Sequence, residues 1–218
     1  MNADDRRKPR VIRLETDRYV VRTLDPDDAT ENWGEWPNDE EAARALNNSP
    51  QRITREQDRT YIERFDRVNA HLLGIFEKET GTLVGFRSIY INWEDGSFLV
   101  NTLIGEREAR NKGARTETRD VVFHYFFFDL DLRTAHGTAL ADNETILRAF
   151  RRKGWIHERT VARPASGGGT VDILHFTLPR ERWRGASEQD ADRGSVDRAN
   201  ANATTVSGQH PAGDRSRK

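Results

Sequence analysis

The fold is decided by the stretch Leu103-Ile-Gly-Glu-Arg-Glu-Ala-Arg-Asn-Lys-Gly-Ala-Arg-Thr-Glu-Thr-Arg-Asp120. Its apolar beginning indicates the end of a buried strand, and the apolar residues 121–128 that follow it indicate a long helix. Between strand and helix lies a short loop, residues 110–113, which ends in Gly113. Such a loop exposes backbone N–H groups at a helix N-terminus, where the helix dipole adds partial positive charge, and glycine allows a ligand to approach closely. We therefore predict a phosphate or pyrophosphate site at this loop.

The glycine loop alone does not distinguish a binding site from ordinary helix geometry, because many helices begin after a glycine. The two commonest phosphate-binding patterns, G-x-G-x-x-G and G-x-x-x-x-G-K-[ST], do not occur here. From Arg110 to Gly113 the spacing matches instead the pattern R/Q-x-x-G-x-G/A. Further along, Asn143-Glu-Thr-Ile-Leu-Arg-Ala-Phe-Arg-Arg-Lys-Gly-Trp155 is close to the pattern N-x-x-A-x-x-x-Y-x-x-x-G-F.

These two motifs, in this order, resemble the acyl-CoA loop and the following helix of the GNAT (GCN5-related N-acetyltransferase) family. The closing Leu178-Pro-Arg-Glu-Arg-Trp183 is similar to the C-terminal ending of the branch that contains ribosomal-protein and small-molecule acetyltransferases. The resemblance covers residues 11–184. It implies an α/β (mixed α+β) acyl-CoA N-acyltransferase fold, in which a central mixed, mostly antiparallel sheet is splayed in the middle and flanked by helices.

Composition and charge exclude several classes of protein. Lys and Arg total 35 against 36 Asp and Glu, a net charge of −1, which argues against a general affinity for nucleic acid or anionic membrane. Cysteine is absent, so a disulfide framework, a thiol nucleophile and a Cys-ligated metal are excluded. The N-terminus lacks the apolar region of a signal peptide, and no run approaches the ~18 apolar residues of a membrane helix. We expect a cytoplasmic protein with no nucleic-acid or membrane partner.

The distribution of apolar residues predicts three regions. Residues 1–10 are charged and are expected to be disordered. Residues 11–184 hold the apolar residues needed for the core of one N-acetyltransferase domain. Residues 185–218 are mostly small and polar, so burial cannot offset chain entropy, and we expect a disordered C-terminal tail.

Local patterns predict the order of the secondary-structure elements. The predicted elements are strands at 11–14 and 19–24, a helix beginning at Asp25, a short helical piece at 40–46, a helix at 55–68, strands at 71–76, 83–91 and 98–104, a helix at 114–130, a strand at 133–140, a helix capped by Asp142 or Asn143 that ends before Gly154, and strands at 155–162 and 171–178. Thr54 and Gln57 fit a capping box at the start of helix 55–68. Strand 133–140 follows a helix, so it should return parallel to strand 98–104.

The resemblance implies a site for acetyl-CoA, used as a co-substrate, between strands 98–104 and 133–140. In the family, the pantetheine arm pairs with backbone groups in the splay, and the pyrophosphate rests on N–H groups of the glycine loop. The implied cofactor-binding residues are Leu103, Ile104, Arg110, Asn111, Lys112, Gly113, Ala114, Arg115, Thr116 and Asn143. Asn143 matches the family's cofactor-contacting asparagine, and it also fits a plain helix N-cap; both roles are compatible.

The sequence departs from the family pattern at three positions. Arg115 replaces the last small residue of the loop motif; its bulk could crowd the site, its charge could add a phosphate contact, or it could be exposed with neither effect. Phe150 stands where the family has a tyrosine, and a phenyl ring cannot donate a proton to the departing thiolate, help often worth ~10²–10⁴ in rate. The family's frequent strand-borne glutamate falls near Leu99 and is also missing. The catalytic residues therefore stay unassigned.

The missing acid and base restrict the acceptor. A thiol has a reference pKa of ~8.5, so its thiolate is a tolerable leaving group near neutrality. An α-amino group with a pKa of ~7.7–8.0 is ~10% neutral at pH 7, whereas a lysine-like amine with a pKa of ~10.4 is almost entirely charged. We therefore expect a primary amine of low pKa as the acceptor, such as a peptide N-terminus, an amino acid or an amino sugar.

Other candidate site residues carry weaker signals. The candidates for an acceptor pocket are Trp33, Trp36, Tyr90 and Asn92, although core packing is the preferred interpretation of the aromatic residues. Glu94 and Asp95 could relay a proton, but turn formation already explains Asp95. The histidines lack the spacing of a metal site, and no metal is expected. Of the six histidines in the sequence, those considered for a metal site are His71, His124, His136, His157 and His175.

The sequence as a whole predicts an acyl-CoA-dependent N-acyltransferase. It would move an acetyl group from acetyl-CoA to a small-molecule or peptide amine by direct attack in a ternary complex. The alternative is a non-catalytic acyl-CoA-binding or protein-interaction module on the same scaffold, which Phe150, Arg115 and the missing glutamate favour. A homodimer is left open.

Overall fold

The computed structural model describes residues 3–6, 8–40, 43, 50–166 and 168–185. The chain divides into two units, Met1–Trp183 and Arg184–Lys218. The predicted tail from residue 186 onward lies outside the described residues, as does the predicted helical piece 40–46 apart from Glu40 and Ala43. The boundaries of the three predicted regions therefore stay predictions.

The strands and most of the helices follow one another in the order that the sequence patterns predict. The strands are β1 (Arg13–Glu15), β2 (Tyr19–Thr23), β3 (Ala70–Glu77), β4 (Leu83–Asn92), β5 (Ser97–Ile104), β6 (Thr134–Leu140), β7 (Ile156–Pro164) and β8 (Thr170–Pro179). The helices are α1 (Ala3–Arg6), α2 (Glu31–Glu35), α3 (Arg55–Glu63), α4 (Arg107–Asn111), α5 (Ala114–His124) and α6 (Glu144–Arg152). Within the described residues, no helix has both the length and the apolar character needed to cross a bilayer.

All eight strands belong to one sheet, in the order β1-β2-β3-β4-β5-β6-β8-β7. Neighbouring strands are antiparallel except β5 and β6, which are parallel. Glycines with positive φ lie in the two hairpin turns of the meander, Gly81 (φ 71°) before β4 and Gly96 (φ 68°) before β5. The mixed, mostly antiparallel sheet and the parallel return of β6 are thus confirmed.

Helices pack on both faces of the sheet. Leu72 and Leu73 are consecutive in β3, so their side chains point to opposite faces, and each belongs to a different core. Leu73 lies in the larger core, which includes Phe123 of α5. Leu72 lies in the smaller core, which includes Trp33 of α2 and Ile62 of α3. The strands thus separate an α5 face from an α2–α3 face.

Helix α3 begins as predicted and ends early. Thr54 Oγ1 accepts a hydrogen bond from the Gln57 N–H at 3.3 Å, and Gln57 Oε1 accepts one from the Thr54 N–H at 2.8 Å. The predicted helix ran to residue 68, but α3 stops at Glu63. A carboxylate turn competes with the helix there, because Asp66 accepts hydrogen bonds from the N–H groups that follow it.

Three other segments differ from the predictions. A 3₁₀ turn at Pro26–Asp28 replaces the start of the predicted helix at Asp25, and α2 begins only after Thr30, whose hydroxyl oxygen accepts from the Trp33 N–H. The predicted helix 114–130 is α-helical to His124 and continues as a π-helical turn, Tyr125–Asp129. The N-terminal segment 1–10, predicted to be disordered, contains one helical turn, α1.

Candidate functional site

Strands β5 and β6 separate after three paired positions. The parallel pairing joins Ser97 to Thr134, Phe98 to Ala135 and Leu99 to His136. β5 continues to Ile104 along β4, so residues 100–104 have no strand partner on their other edge among the described strands. Buried backbone N–H and C=O groups need hydrogen-bond partners. This edge, which we call the strand gap, suits an extended ligand that pairs like an added strand.

Backbone carbonyls on the strand gap alternate along β5. Those of Thr102 and Ile104 accept hydrogen bonds from arginine side chains. The Leu103 carbonyl oxygen instead lies on the β4 side, 2.4 Å from the place a Cβ at Gly85 would take. The gap-facing carbonyls are therefore those of Thr102 and Ile104, and Leu103, which was predicted to pair with the ligand, does not present its carbonyl to the gap.

Gly113 connects α4 to α5 at the mouth of the strand gap. Its backbone is left-handed, with φ 80° and ψ 12°, and it is the N-cap of α5. The first N–H groups of a helix have no acceptor within the helix, and the helix dipole adds positive charge to them. A Cβ added at Gly113 would meet only the Arg18 guanidinium, at 3.6 Å. The start of α5 therefore has the geometry of an anion site.

The predicted loop residues are held in different ways. Arg110 and Asn111 belong to α4 rather than to a loop, which corrects the sequence prediction. The Arg110 guanidinium donates to the Ile104 carbonyl at 2.9 Å and to the Gly105 carbonyl at 2.8 Å, so it ties α4 to the end of β5. Lys112 and Thr116 are exposed, whereas Ala114 is buried. Arg110 is thus a structural tie in this conformation.

Arg115 reaches into the strand gap. Its side chain is exposed, and Nη2 donates to the Thr102 carbonyl at 3.2 Å. The guanidinium thus occupies a backbone acceptor of the gap.

Arg87 is a buried cation beneath the start of α5, and sequence reasoning missed it. Its side chain is 2% exposed. Nη1 donates to Thr102 Oγ1 at 2.7 Å, and Nη2 donates to the Arg115 carbonyl at 2.7 Å and to Thr118 Oγ1 at 2.9 Å. Nε has no partner. Burial, with the nearby charges of Arg115 and Arg119, lowers the pKa of Arg87 to about 9, which leaves it positive at neutral pH.

A second arginine missed by the sequence lies beside Gly113. Arg18 donates from Nε and Nη2 to Glu117 Oε2 at 2.9 and 2.7 Å, and Thr16 donates to Glu117 Oε1 at 2.6 Å. Although partial burial opposes it, these hydrogen bonds hold the pKa of Glu117 below its usual value. The turn before β2 is thereby fixed to the first turn of α5. The only sequence signal was an acidic residue in the first turn of a helix.

Asn143 and Phe150 lie where the second motif places them. Asn143 Oδ1 accepts from the Ile146 N–H at 3.2 Å, which makes Asn143 the N-cap of α6. The Phe150 ring stacks on Trp155 with centroids 4.5 Å apart. Its Cζ lies 3.3 Å from the place a Cβ at Gly137 would take. The para position therefore points at β6 just beyond the Leu99–His136 pair, the last β5–β6 pair, which we call the fork.

Residues on the α2–α3 face of the sheet were the predicted acceptor pocket. Trp33 and Trp36 are buried and stack with Phe86, at centroid separations of 5.1 and 6.3 Å. Tyr90 is 42% exposed on the same face. Asn92 donates to the Asp95 side chain in the hairpin turn and is not grouped with the tryptophans. The structure therefore brings Trp33 and Trp36 together as core residues.

His136 stands at the fork on this same face, a placement that the sequence did not reveal. It pairs with Leu99, the last position at which β5 and β6 are joined, and Leu99 also pairs with Tyr90 of β4. Paired residues on neighbouring strands point to one side, so the three side chains form a row across the sheet. His136 is half-buried. A basic side chain thus adjoins the position where the family's glutamate is missing.

A buried carboxyl also lies under this face. Asp58 of α3 is 2% exposed, and its Oδ2 makes no hydrogen bond within the described residues. Burial raises the pKa of Asp58 to about 6. Burial, with the nearby Tyr90, raises the pKa of Tyr61 to about 12. Across the described part of the chain, no three His, Asp or Glu side chains are grouped as a metal site would require.

A sheet that opens between two parallel strands beside a helix N-terminus defines the acyl-CoA N-acyltransferase fold. Residues 18–156 match the family model described as the acetyltransferase (GNAT) domain. The chain therefore belongs to the GNAT acetyltransferase family, whose members use acetyl-CoA. No curated protein matches the chain.

Solved structures share this fold at low sequence identity. A GNAT-family acetyltransferase from Bacillus anthracis is 16% identical with a TM-score of 0.65, covering 78% of this chain and 99% of its own. The ribosomal-protein-S5-alanine acetyltransferase from Vibrio fischeri is 16% identical with a TM-score of 0.66, covering 79% and 99%. Spermidine N-acetyltransferase from Vibrio cholerae, in complex with CoA and spermine, is 14% identical with a TM-score of 0.66, covering 76% and 97%. Likeness at these identities shows the fold.

Proposed function

We propose that the protein is a cytoplasmic N-acetyltransferase that moves the acetyl group of acetyl-CoA to a primary amine of low pKa, by direct attack in a ternary complex. The observation that carries this proposal is the strand gap, an open β-strand edge that ends at the N-terminus of α5. An extended pantetheine arm suits that edge, and a diphosphate suits the helix start.

The residues at the start of α5 fit a polyanionic ligand. Arg87 and Arg115 form no ion pair with a carboxylate among the described residues, although the charge of Asp120 partly offsets that of Arg87. Gly113 leaves the backbone accessible beside them. A diphosphate would supply the missing negative charge. The N-terminus of α5, the two arginine side chains and the open edge of β5 lie next to one another. We therefore propose that the donor of the acyl group is a CoA thioester.

The reaction then depends on placement and on one proton acceptor. Acetyl-CoA supplies the thioester carbonyl carbon, and the strand gap would hold the pantetheine arm so that this carbon lies near the fork. Backbone N–H groups of β5 are available to polarise the carbonyl. The His136 imidazole, at the fork and on the α2–α3 face, is positioned to accept a proton from the attacking amine. The amine nitrogen bonds to the carbonyl carbon, and the carbon–sulfur bond breaks to release the CoA thiolate.

This arrangement supports an acceptor of low pKa. The position of Phe150 offers no acid, and a lysine-like amine with a reference pKa of ~10.4 would rarely be neutral when it attacks. An α-amine loses its proton about 250-fold more readily than an ε-amine, given reference pKa values of ~8 and ~10.4. We therefore expect peptide N-termini, amino acids or amino sugars to react faster than lysine side chains.

The test combines binding and turnover. Calorimetry should show that acetyl-CoA binds, and thiol release should then rise with α-amines over ε-amines on matched peptides. His136→Gln should lower kcat with little change in the affinity for acetyl-CoA, whereas His157→Gln, an exposed histidine on β7, should change neither. If calorimetry detects no binding of acetyl-CoA, the proposed function is wrong. If ε-amines react faster than α-amines, the proposed class of acceptor is wrong.

A non-catalytic acyl-CoA-binding protein is the second candidate, and Phe150 is the observation that favours it. Stabilisation by acetyl-CoA in a thermal melt without thiol release against an amine panel would support this candidate. Phe150→Tyr discriminates further, since a large rise in turnover would show that the missing acid limits the natural sequence. Trp155, stacked on the ring, should hold either side chain in the same place.

A further inference from the structure

The Arg115 side chain competes with any ligand that enters the strand gap. Its Nη2 donates to the Thr102 carbonyl at 3.2 Å. Thr102 lies beyond the last β5–β6 pair, so its carbonyl is one of the acceptors left open by the missing strand. A pantetheine amide that pairs with β5 needs this carbonyl. The Arg115–Thr102 contact must therefore break when the arm enters.

Beside Thr102, the Arg115 side chain can rotate while the backbone around it is held in place. Arg87 donates to Thr102 Oγ1 at 2.7 Å and to the Arg115 backbone carbonyl at 2.7 Å. One buried guanidinium thus holds the β5 residue and the first turn of α5 in fixed positions. The Arg115 side chain is exposed and makes its single described hydrogen bond to Thr102. Rotation of this side chain opens the gap without moving the backbone.

We propose that Arg115 makes the protein selective for acyl donors that carry phosphate groups. Without a donor, its guanidinium occupies the Thr102 carbonyl. With a CoA thioester, a pantetheine amide N–H takes over that carbonyl, and the released guanidinium pairs with a phosphate oxygen at the start of α5. This inference rests on the proposed function and adds the residue that discriminates between donors.

The two contacts give opposite effects on two ligands. A pantetheine thioester without phosphates must displace Arg115 and gains nothing in return. CoA displaces the same contact, but the guanidinium then binds a phosphate oxygen, and a hydrogen bond between two charged groups is stronger than one to a neutral carbonyl. Removing the guanidinium should therefore help pantetheine and harm CoA.

The experiment measures dissociation constants of acetyl-CoA and acetyl-pantetheine by calorimetry and by thermal shift. Arg115→Ala should bind acetyl-CoA about fivefold to tenfold more weakly and acetyl-pantetheine about threefold more tightly. Arg115→Lys should keep most of the acetyl-CoA affinity because it keeps the charge. Lys112→Ala is the matched control, since it removes an exposed cation from the same loop without touching Thr102. It should weaken acetyl-CoA and leave acetyl-pantetheine unchanged.

Parallel weakening of both ligands in Arg115→Ala would overturn the inference, because a merely structural role acts on both alike. So would an Arg115→Ala effect confined to acetyl-CoA, which is the pattern of the Lys112 control. If the alanine variant melts below the assay temperature, Arg115→Gln, which also removes the charge, provides the same comparison against Arg115→Lys. If the natural sequence binds no acetyl-CoA at all, the proposed function itself fails, and this result is separate from the other two.

Discussion

Replacing Asp58 by asparagine should stabilise the protein at neutral pH. The Asp58 side chain is 2% exposed, and its Oδ2 has no hydrogen-bond partner among the described residues, so burial of its charge destabilises the folded chain. The Oδ2 atom lies 3.5 Å from the place a Cβ at Gly34 would take, against the backbone of α2. Asparagine has nearly the same shape and no charge. The substitution therefore removes the cost of ionisation and keeps the packing.

The pKa of Asp58 sets the size of this effect and its pH window. Burial raises the pKa from 3.8 to about 6. The folded chain therefore holds the proton over a pH range in which the unfolded chain has released it, and stability falls as pH rises through that range. A pKa shift of one unit corresponds to about 1.36 kcal/mol. The free energy lost by ionising Asp58 in the folded chain above pH 6 is therefore about 1–3 kcal/mol. Below pH 3.8 the cost disappears.

The assay is chemical denaturation of both variants at pH 7.5 and pH 3.5. Asp58→Asn should raise the free energy of unfolding at pH 7.5 and leave it nearly unchanged at pH 3.5. Asp66→Asn is the matched control, because Asp66 accepts three backbone hydrogen bonds. Those bonds hold its pKa below the usual value against partial burial, so its loss should destabilise at pH 7.5. A destabilised Asp58→Asn at pH 7.5 would show that the carboxylate has a partner and would refute the reasoning.

Three further substitutions test other parts of the structure. His71 is fully buried against Phe126, and burial lowers its pKa to about 4 although a hydrogen bond with the Val68 backbone opposes the shift. The free energy of unfolding should therefore fall by about 3 kcal/mol as the pH drops from 6.5 to 4. His71→Leu should remove that slope in urea titrations, and an unchanged slope would contradict this. Gly113→Ala should lower the free energy of unfolding by about 1–2 kcal/mol, because the position has a positive φ, and should also weaken acetyl-CoA binding. Gly81→Ala, in an open turn, should lower the free energy of unfolding without affecting binding. Equal losses of acetyl-CoA affinity in the two variants would contradict a site at Gly113. Trp183→Ala should lower the free energy of unfolding by about 3 kcal/mol through a cavity beside α5, and a loss under 1 kcal/mol in calorimetry would show that the ring is dispensable.

Much of the fold could be predicted because its signals are local. The capping box of Thr54 and Gln57, the Asn143 cap and the turn glycines each depend on residues within a few positions of one another. The order of strands and helices, and the parallel return of β6, followed from these boundaries. The ends of α3 and α5 were less well predicted, since Asp66 and the π-helical turn reflect tertiary packing more than helix propensity.

The site was harder to predict because its contacts join distant parts of the chain. Arg87 was visible as a charge within an apolar strand, but its three acceptors come from β5 and α5. Arg18 and Glu117 are 99 positions apart. The pairing of His136 with Leu99 depends on the register of a parallel pair, and no local pattern fixes that register. Sequence reasoning named Arg115 at the start of α5 but missed Arg87 and Arg18, whose partners lie in other elements.

The three-position pairing of β5 with β6 has a mechanical consequence. The sheet consists of a five-stranded and a three-stranded part, and beyond that short ladder the α5 connection and packing against the helices join them. The sheet should open locally at this short pairing more readily than within either part. Amide protons of β6 near the fork should therefore exchange before those of β3. A bound pantetheine arm that contacts both β5 and β6 would hold the two parts of the sheet together. Slower amide hydrogen exchange at the fork would then report binding even where no acetyl transfer follows.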